Sequence, residues 1–275
     1  MDKISQQVIK LAYQEDIQSG DITSEATIRK RLPGKALIIA KSSGILSGTE
    51  AFRYAFKLAS PKIKVVFHIR DGNKYSPEDK IATIKGISQA LLRGERLALN
   101  LLSHLSGVAT MTSMFVARVD GLKARILDTR KTTPGIRYLE KRAVKHGGGR
   151  NHRMGLYDMV LIKDNHIAAA GGVGEALEKV LDIRRKVEIE IADFYQLETA
   201  LNYSPDIIML DNFNIRRLAW AVKIIRSSSQ RIKIEASGGV NLKTVRSIAK
   251  TGVDYISVGA LTHSVPAADF SMRYV

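Results

Sequence analysis

Apolar and polar positions along the chain fall into two regimes. In DKISQQVIKLAYQEDIQSGDIT, Ile4, Val8 and Leu11 recur at helical spacing, and Gly20 is placed to stop the helix. KALIIAKSSGILSGTE reads as strand and turn, EAFRYAFKLA as helix, KIKVVFHIRDGN as strand plus turn, and KIATIKG as another strand. This mixed order suggests an open α+β domain over roughly the first hundred residues. The stretch ISQALLRGERLALNLLSHLSGVATMTSMFVARV then turns helical, with Leu99, Leu102, Leu105 and Val108 among its apolar positions, and is expected to link two domains.

Beyond it the pattern becomes regular. ARILDTRK, DMVLIKDNH, VEIEIAD, DIIMLDN, IKIEASGG and DYISVGA are six short apolar strands. GVGEALEKVLDIRRK, FYQLETALN, IRRLAWAVKIIRSS and NLKTVRSIAKTG are helical stretches between them. Strands alternating with helices imply a parallel sheet. Six strands favour an incomplete parallel α/β barrel over residues 105–264, with the tail 265–275 returning to the first domain. Polar residues stand at nearly every strand end: Arg130 and Lys131, Lys163, Glu190, Asp211, Ser237 with Gly238, and Gly259. In such a barrel these ends converge at one mouth, where active sites lie.

Composition narrows the chemistry. The 275 residues are 45% hydrophobic, enough for a substantial core. There is no cysteine, which excludes a disulfide frame and thiolate metal sites. No apolar run approaches the roughly 18 residues of a membrane span and no signal peptide stands near Met1, so the chain reads as soluble and cytoplasmic. The net charge of +16 points to anionic ligands. From Lys123 to Lys163 there are eleven Lys and Arg against three acids, Asp128, Glu140 and Asp158. They are interleaved with Gly, Thr, Asn and His, as in the lining of a pocket.

Each motif alone has a plainer reading. TRKTTPG could be a strand end with a Pro-Gly turn, and HGGGRNHR a surface glycine loop. Glu188 and Glu190 alternate with Val187, Ile189 and Ile191. In an antiparallel sheet that is a solvated face; in a barrel the same face points inward. His68, His104 and His146 read as structural or surface residues.

Taken together, LDTRKTTPGIRYLEKRAVKHGGGRNHRMGLYDMVLIKDNH resembles the signature of the quinolinate phosphoribosyltransferases, also called nicotinate-nucleotide pyrophosphorylases (carboxylating). AYQEDIQSGDITSEATI, GERLALNLLSHLSGVAT, IIMLDN, IEASGGV and ISVGALTHS extend the similarity over almost the whole chain. The departures are small: Arg150 stands in GGGRNHR where an uncharged residue or His is expected, and DGNKYSPEDKI is less glycine-rich than usual. The resemblance implies transfer of a phosphoribosyl group to quinolinate with loss of CO₂, with Mg²⁺ as cofactor, in de novo NAD synthesis. It implies an α/β fold, an N-terminal open α/β sandwich domain (residues 1–104) followed by an incomplete parallel α/β barrel (105–264), and a homodimer or larger homo-oligomer with shared sites. Carried over by motif, Arg130, His152, Arg153 and Lys163 bind quinolinate, and Arg96 reaches in from a partner subunit. Lys131 binds phosphoribosyl pyrophosphate. Glu190 and Asp211 hold ribose hydroxyls or the metal, and Ser237, Gly238, Gly259 and His263 surround the 5′-phosphate. Lys131, Lys163, Glu190 and Asp211 are the expected catalytic groups.

Two other readings remain open at this level. One is a molybdenum-transport-associated paralogue on the same scaffold; the complete TTPG and LIKDNH strings, with Arg96 and Arg153 both present, favour the quinolinate enzyme. The other is a nucleic-acid-binding protein, suggested by the charge. Neither a basic stripe with exposed aromatics nor a helix-turn-helix is present, and aromatics are only 6%, so no nucleic acid or membrane partner is expected.

Overall fold

The structure, a computed structural model, describes residues 1–228 and 231–275. In chain order the elements are α1 (Lys3–Ile17), α2 (Ile22–Thr27), β1 (Pro33–Ala40), β2 (Gly44–Ile45), α3 (Thr49–Ala59), β3 (Lys64–Phe67), β4 (Lys74–Tyr75), β5 (Lys80–Ile87) and α4 (Ser88–Arg118). Then follow β6 (Arg125–Leu127), α5 (Arg137–His146), β7 (Val160–Ile162), α6 (Asp164–Ala170), α7 (Val173–Glu178), β8 (Val187–Ile191) and α8 (Phe194–Leu201). The chain ends with β9 (Ile207–Asp211), α9 (Ile215–Ser227), β10 (Lys233–Ser237), α10 (Val245–Lys250), β11 (Tyr255–Ser257), α11 (Ala260–His263) and β12 (Phe270–Tyr274). Among the described residues no helix is long and apolar enough to cross a membrane.

Contacts divide the chain into two compact units. One comprises Met1–Ser113, Lys131–Gly148 and Leu261–Val275; the other comprises Met114–Arg130 and Gly149–Ala260. Residues 131–148, placed by the sequence pattern inside the barrel, therefore group with the first unit. Local chemistry explains this. The buried Glu140 of α5 meets His104 Nε2 of α4 at 2.7 Å, and His146 Nδ1 meets the Ser47 hydroxyl at 2.8 Å. A Cβ on Gly147 would stand 2.3 Å from the Ala109 carbonyl oxygen, so only glycine lets α5 end this close to α4.

The first unit is built on an antiparallel sheet of order β12-β1-β5-β3. The tail pairs with β1, placing Ala36 opposite Tyr274 and Ala40 opposite Phe270. Helix α1 forms where expected, with Asp2 capping through the Ser5 amide. Its buried face differs from the apolar stripe, however. Ser5 and Ile9 are buried, whereas Ile4 and Leu11 are 62% and 64% exposed. The Ser5 hydroxyl donates to the Gly135 carbonyl, and Val8 lies against the same glycine, so these contacts set the rotation of the helix.

The second unit is a six-stranded parallel sheet of order β6-β11-β10-β9-β8-β7, an incomplete α/β barrel. Its registers are continuous: Ile189 pairs with Ile208 and Ile208 with Ile234, while Ile191 pairs with Leu210 and Leu210 with Ala236. These residues are buried on one face. Leu197 of α8, Leu218 and Ile225 of α9, and Val245 of α10 are buried with them. Side chains alternate along a strand, so Glu188, Glu190, Met209, Asp211, Glu235 and Ser237 share the other face.

The N-terminal strand ends are tied by acids. Asp254 Oδ2 accepts the Ile234 amide at 3.0 Å and an Arg226 guanidinium N–H, and Oδ1 meets Lys123 Nζ at 2.8 Å. Lys123 and Arg226 hold this buried carboxyl below its usual range despite its burial. Asp206 Oδ2 accepts the Val187 amide at 2.8 Å in the same way. Asp254→Ala strands the buried Ile234 amide and removes the partner that the more exposed Lys123 and Arg226 share, and should lower unfolding free energy by about 1–3 kcal/mol. Denaturant titration reads that loss; a change under about 0.5 kcal/mol, the usual range for a surface substitution, would show that the carboxylate is dispensable.

Candidate active site

The opposite, C-terminal strand ends gather most of the candidate residues. Just past β6, the buried Asp128 accepts the His152 amide at 2.9 Å, and its own amide donates to the Arg150 carbonyl at 3.1 Å. The Arg150 amide in turn donates to the Ile126 carbonyl at 2.9 Å. The loop that looked like a loose glycine run is therefore laced onto β6. Gly148 takes φ +87°, a turn conformation that suits glycine, just before it.

His152 is committed on both ring nitrogens. Nδ1 accepts the Arg153 amide at 2.7 Å, and Nε2 lies 3.0 Å from Glu188 Oε2 and 3.7 Å from Glu235 Oε1. A proton on Nε2 and none on Nδ1 satisfies both contacts. Arg153 is buried, and its Nη1 donates to the Met159 carbonyl at 3.2 Å while Nε meets no acceptor. Burial, and then the nearby Arg130, makes the charge of Arg153 harder to keep; Glu188 and Asp158 offset this. Asp158 accepts the Met154 and Gly155 amides and fixes the turn between Arg153 and β7.

Lys163 follows β7 directly, and its Nζ donates to Glu190 Oε2 at 2.6 Å. Asp211 ends β9, opposite Ser237 at the end of β10. Gly238 follows, and Gly259 comes just after β11. Arg130, His152, Arg153, Lys163, Glu190, Asp211, Ser237, Gly238 and Gly259 thus all belong to the second unit. Arg96, Lys131 and His263 belong to the first, where Arg96 is exposed on α4 and His263 Nδ1 meets the Ser264 hydroxyl at 2.6 Å. His68, His104 and His146 make local bonds to Thr83, Glu140 and Ser47.

Two acids that the motif reading did not assign lie deeper on the same inward face. Glu188 and Glu235 are fully buried, and apart from the His152 contacts their carboxylate oxygens meet no hydrogen-bond donor. Burial pushes Glu188 up to about 8 against the pull of Arg153 and Lys163. Glu235 is likewise pushed up to about 8, by burial and then by Glu188. The Ser257 hydroxyl favours ionised Glu235 without reaching hydrogen-bond geometry. Ligand atoms of His152, Glu188 and Glu235 lie within 4.8 Å of one another, a spacing one small cation could span. Arg153 and Lys163 oppose a further cation there, and protons on the acids meet the same need. The signal for Glu188 was its period-2 relation to Glu190; that for Glu235 was an acid inside the apolar run IKIEAS.

Profiles described as "Quinolinate phosphoribosyl transferase, N-terminal domain" and "C-terminal domain" match residues 21–106 and 108–273. The chain belongs to the quinolinate phosphoribosyltransferase family. A relative from Bacillus subtilis, named probable nicotinate-nucleotide pyrophosphorylase [carboxylating], is 43% identical over 94% of this chain and 90% of its own. One from Mycobacterium leprae is 38% identical over 96% and 95%. The solved nicotinate-nucleotide pyrophosphorylase from Francisella tularensis superposes with a TM-score of 0.93 at 37% identity, covering 99% of this chain and 96% of that one.

Because the folded-state pKa of Glu235 is raised, its protonated form favours folding. That contribution is complete below the unfolded value of 4.5 and is lost as pH rises through about 8. Thermal melts from pH 5 to pH 9 should show falling stability, and Glu235→Gln should flatten the fall and melt above the parent at pH 9. Parallel curves for the two proteins would mean that Glu235 does not titrate in this range.

Proposed function

We propose that this chain catalyses quinolinate + phosphoribosyl pyrophosphate → nicotinate mononucleotide + CO₂ + pyrophosphate, a step of de novo NAD synthesis. The observation that carries the reading is Arg153 and Lys163 held above a buried acidic floor, beside the strand-end carboxylates of Glu190 and Asp211. Quinolinate is a small ring with two adjacent carboxylates. Binding both against their mutual repulsion calls for several fixed cations, and guanidinium groups meet carboxylates through paired hydrogen bonds. Arg130, Arg153 and Lys163 supply that charge, and Arg153 is held rigidly by its bond to Met159.

The ring nitrogen attacks C1 of the ribose as the C1–pyrophosphate bond breaks, its electron pair leaving with pyrophosphate. The product pyridinium then draws in the electron pair left on C2 when the C2–carboxylate bond breaks and CO₂ departs, and a proton closes that position. Lys163 contributes positive charge to the bound dianion, and Lys131 to the departing pyrophosphate. Glu190 and Asp211 offer hard oxygen donors at neighbouring strand ends, a set that suits magnesium. Bound there, the ion would neutralise charge on the pyrophosphate.

The functional unit in this reading is a homodimer with shared sites. Arg96 is solvent-exposed on α4 and so is available to another subunit, and α1 presents the exposed apolar Ile4 and Leu11. Formation of nicotinate mononucleotide from quinolinate and phosphoribosyl pyrophosphate, with and without Mg²⁺, tests the reaction; turnover of nicotinate alone would overturn it. Arg153→Ala should raise the Kd for quinolinate by about tenfold or more, the worth of a desolvated charge-assisted bond, and change that for phosphoribosyl pyrophosphate far less. Equal losses would remove Arg153 from the quinolinate subsite. Arg96→Ala and Lys163→Ala proteins, each nearly inactive, should regain up to roughly a quarter of wild-type activity after subunit exchange, because about half the dimers then carry one intact site. Exchange without recovery would place Arg96 in its own chain's site.

A further inference from the structure

Asn212 lies between two strand ends of the site, and no role has been assigned to it above. It follows Asp211 and takes φ +55°, in the left-handed region. Its side-chain Nδ2 donates to Asp211 Oδ2 at 2.6 Å, and its backbone amide donates to the Ser237 carbonyl at 2.9 Å. A Cβ on Gly238 would stand 2.1 Å from Asn212 Oδ1 and 2.9 Å from its amide nitrogen. The carboxamide, on an exposed residue, thus stands between the Asp211 carboxylate and the Gly238 backbone, while the backbone amide ties the end of β9 to the end of β10.

We propose that Asn212 is a positioning residue for the phosphoribosyl donor. Its carboxamide orients Asp211 through Oδ2, leaving Oδ1 to the ligand, and fills the space between that carboxylate and Gly238. This rests on the reading that Asp211, Ser237 and Gly238 receive phosphoribosyl pyrophosphate. Three features go beyond what a left-handed residue alone demands. The side chain donates to a carboxylate, the charge-assisted case. The partner is the neighbouring candidate ligand residue. The opposite side of the same carboxamide meets a glycine that no other residue could replace without displacing it. Quinolinate is recognised in this reading by Arg130, Arg153 and Lys163, none of which bonds to Asn212, so the two substrates are affected separately.

The plainer alternative is that asparagine stands here only because it tolerates a positive φ. Asn212→Gly separates the two, since glycine keeps the backbone conformation and removes the carboxamide. Steady-state kinetics of this protein should show the KM for phosphoribosyl pyrophosphate raised about tenfold, the size of one charge-assisted bond, with the quinolinate KM within about twofold of wild type. The Mg²⁺ concentration for half-maximal activity should rise with it. Asn212→Asp, which removes the donor and sets a like charge against Asp211, should be worse than Asn212→Gly. The unchanged quinolinate KM certifies an intact fold. A wild-type profile for Asn212→Gly would overturn the proposal in favour of backbone tolerance. Equal rises in both KM values would also overturn it, as general loosening of the site. Asp211→Asn serves as the control: if it leaves the phosphoribosyl pyrophosphate KM unchanged, the underlying reading falls and this inference falls with it. If Asp211→Asn raises that KM and Asn212→Gly does not, only the inference falls.

Discussion

Uninterrupted parallel register across β8, β9 and β10 is the constraint on which this site depends. Pairing Glu190 with Met209 and Asp211 with Ser237 leaves no slack between strand ends. A slip of one residue would turn Glu188, Glu190, Asp211 and Glu235 toward the helices and bring Ile189, Ile208 and Ile234 to the inner face. The apolar residues thus enforce the position of the polar ones. The acids at the opposite strand ends, Asp206 and Asp254, bind neighbouring amides and fix the same register from below.

Within that frame the electrostatics are layered. Arg153 and Lys163 would be expensive to hold so near one another and Arg130 without counter-charge. Lys163 has Glu190 directly, whereas Arg153 is only partly offset by Glu188 and Asp158, after burial and Arg130 have made its charge harder to keep. Glu188 and Glu235, with His152 Nε2 as their neighbour, are pushed up to about 8 chiefly by burial. His152, with both nitrogens engaged, joins these acids to the Arg153 backbone.

The sequence made the second unit legible because one period repeats: each apolar strand ends in a polar residue and hands over to a helix. Lys163, Glu190, Asp211 and Ser237 could be placed at one mouth on that ground alone. Helix α5 was less visible, since RYLEKRAVKH is so basic that its apolar positions, Leu139, Ala143 and Val144, are outnumbered. Helix α1 was legible from its spacing, but its buried face was not, because its contacts run through Ser5 and Gly135, which no hydrophobicity pattern marks. Glu235 escaped notice because a buried acid looks, in one dimension, like any exposed one. Asn212 did so because its importance lies in a spatial neighbour, Gly238, that is distant in sequence.

The clamp around Asp254 has an evolutionary consequence. It sits at the end of the strands away from the candidate ligand groups and draws its partners from Lys123, Arg226 and the Ile234 amide, none of which is a candidate site residue. Integrity and catalysis are thereby encoded by separate residues on the same strands.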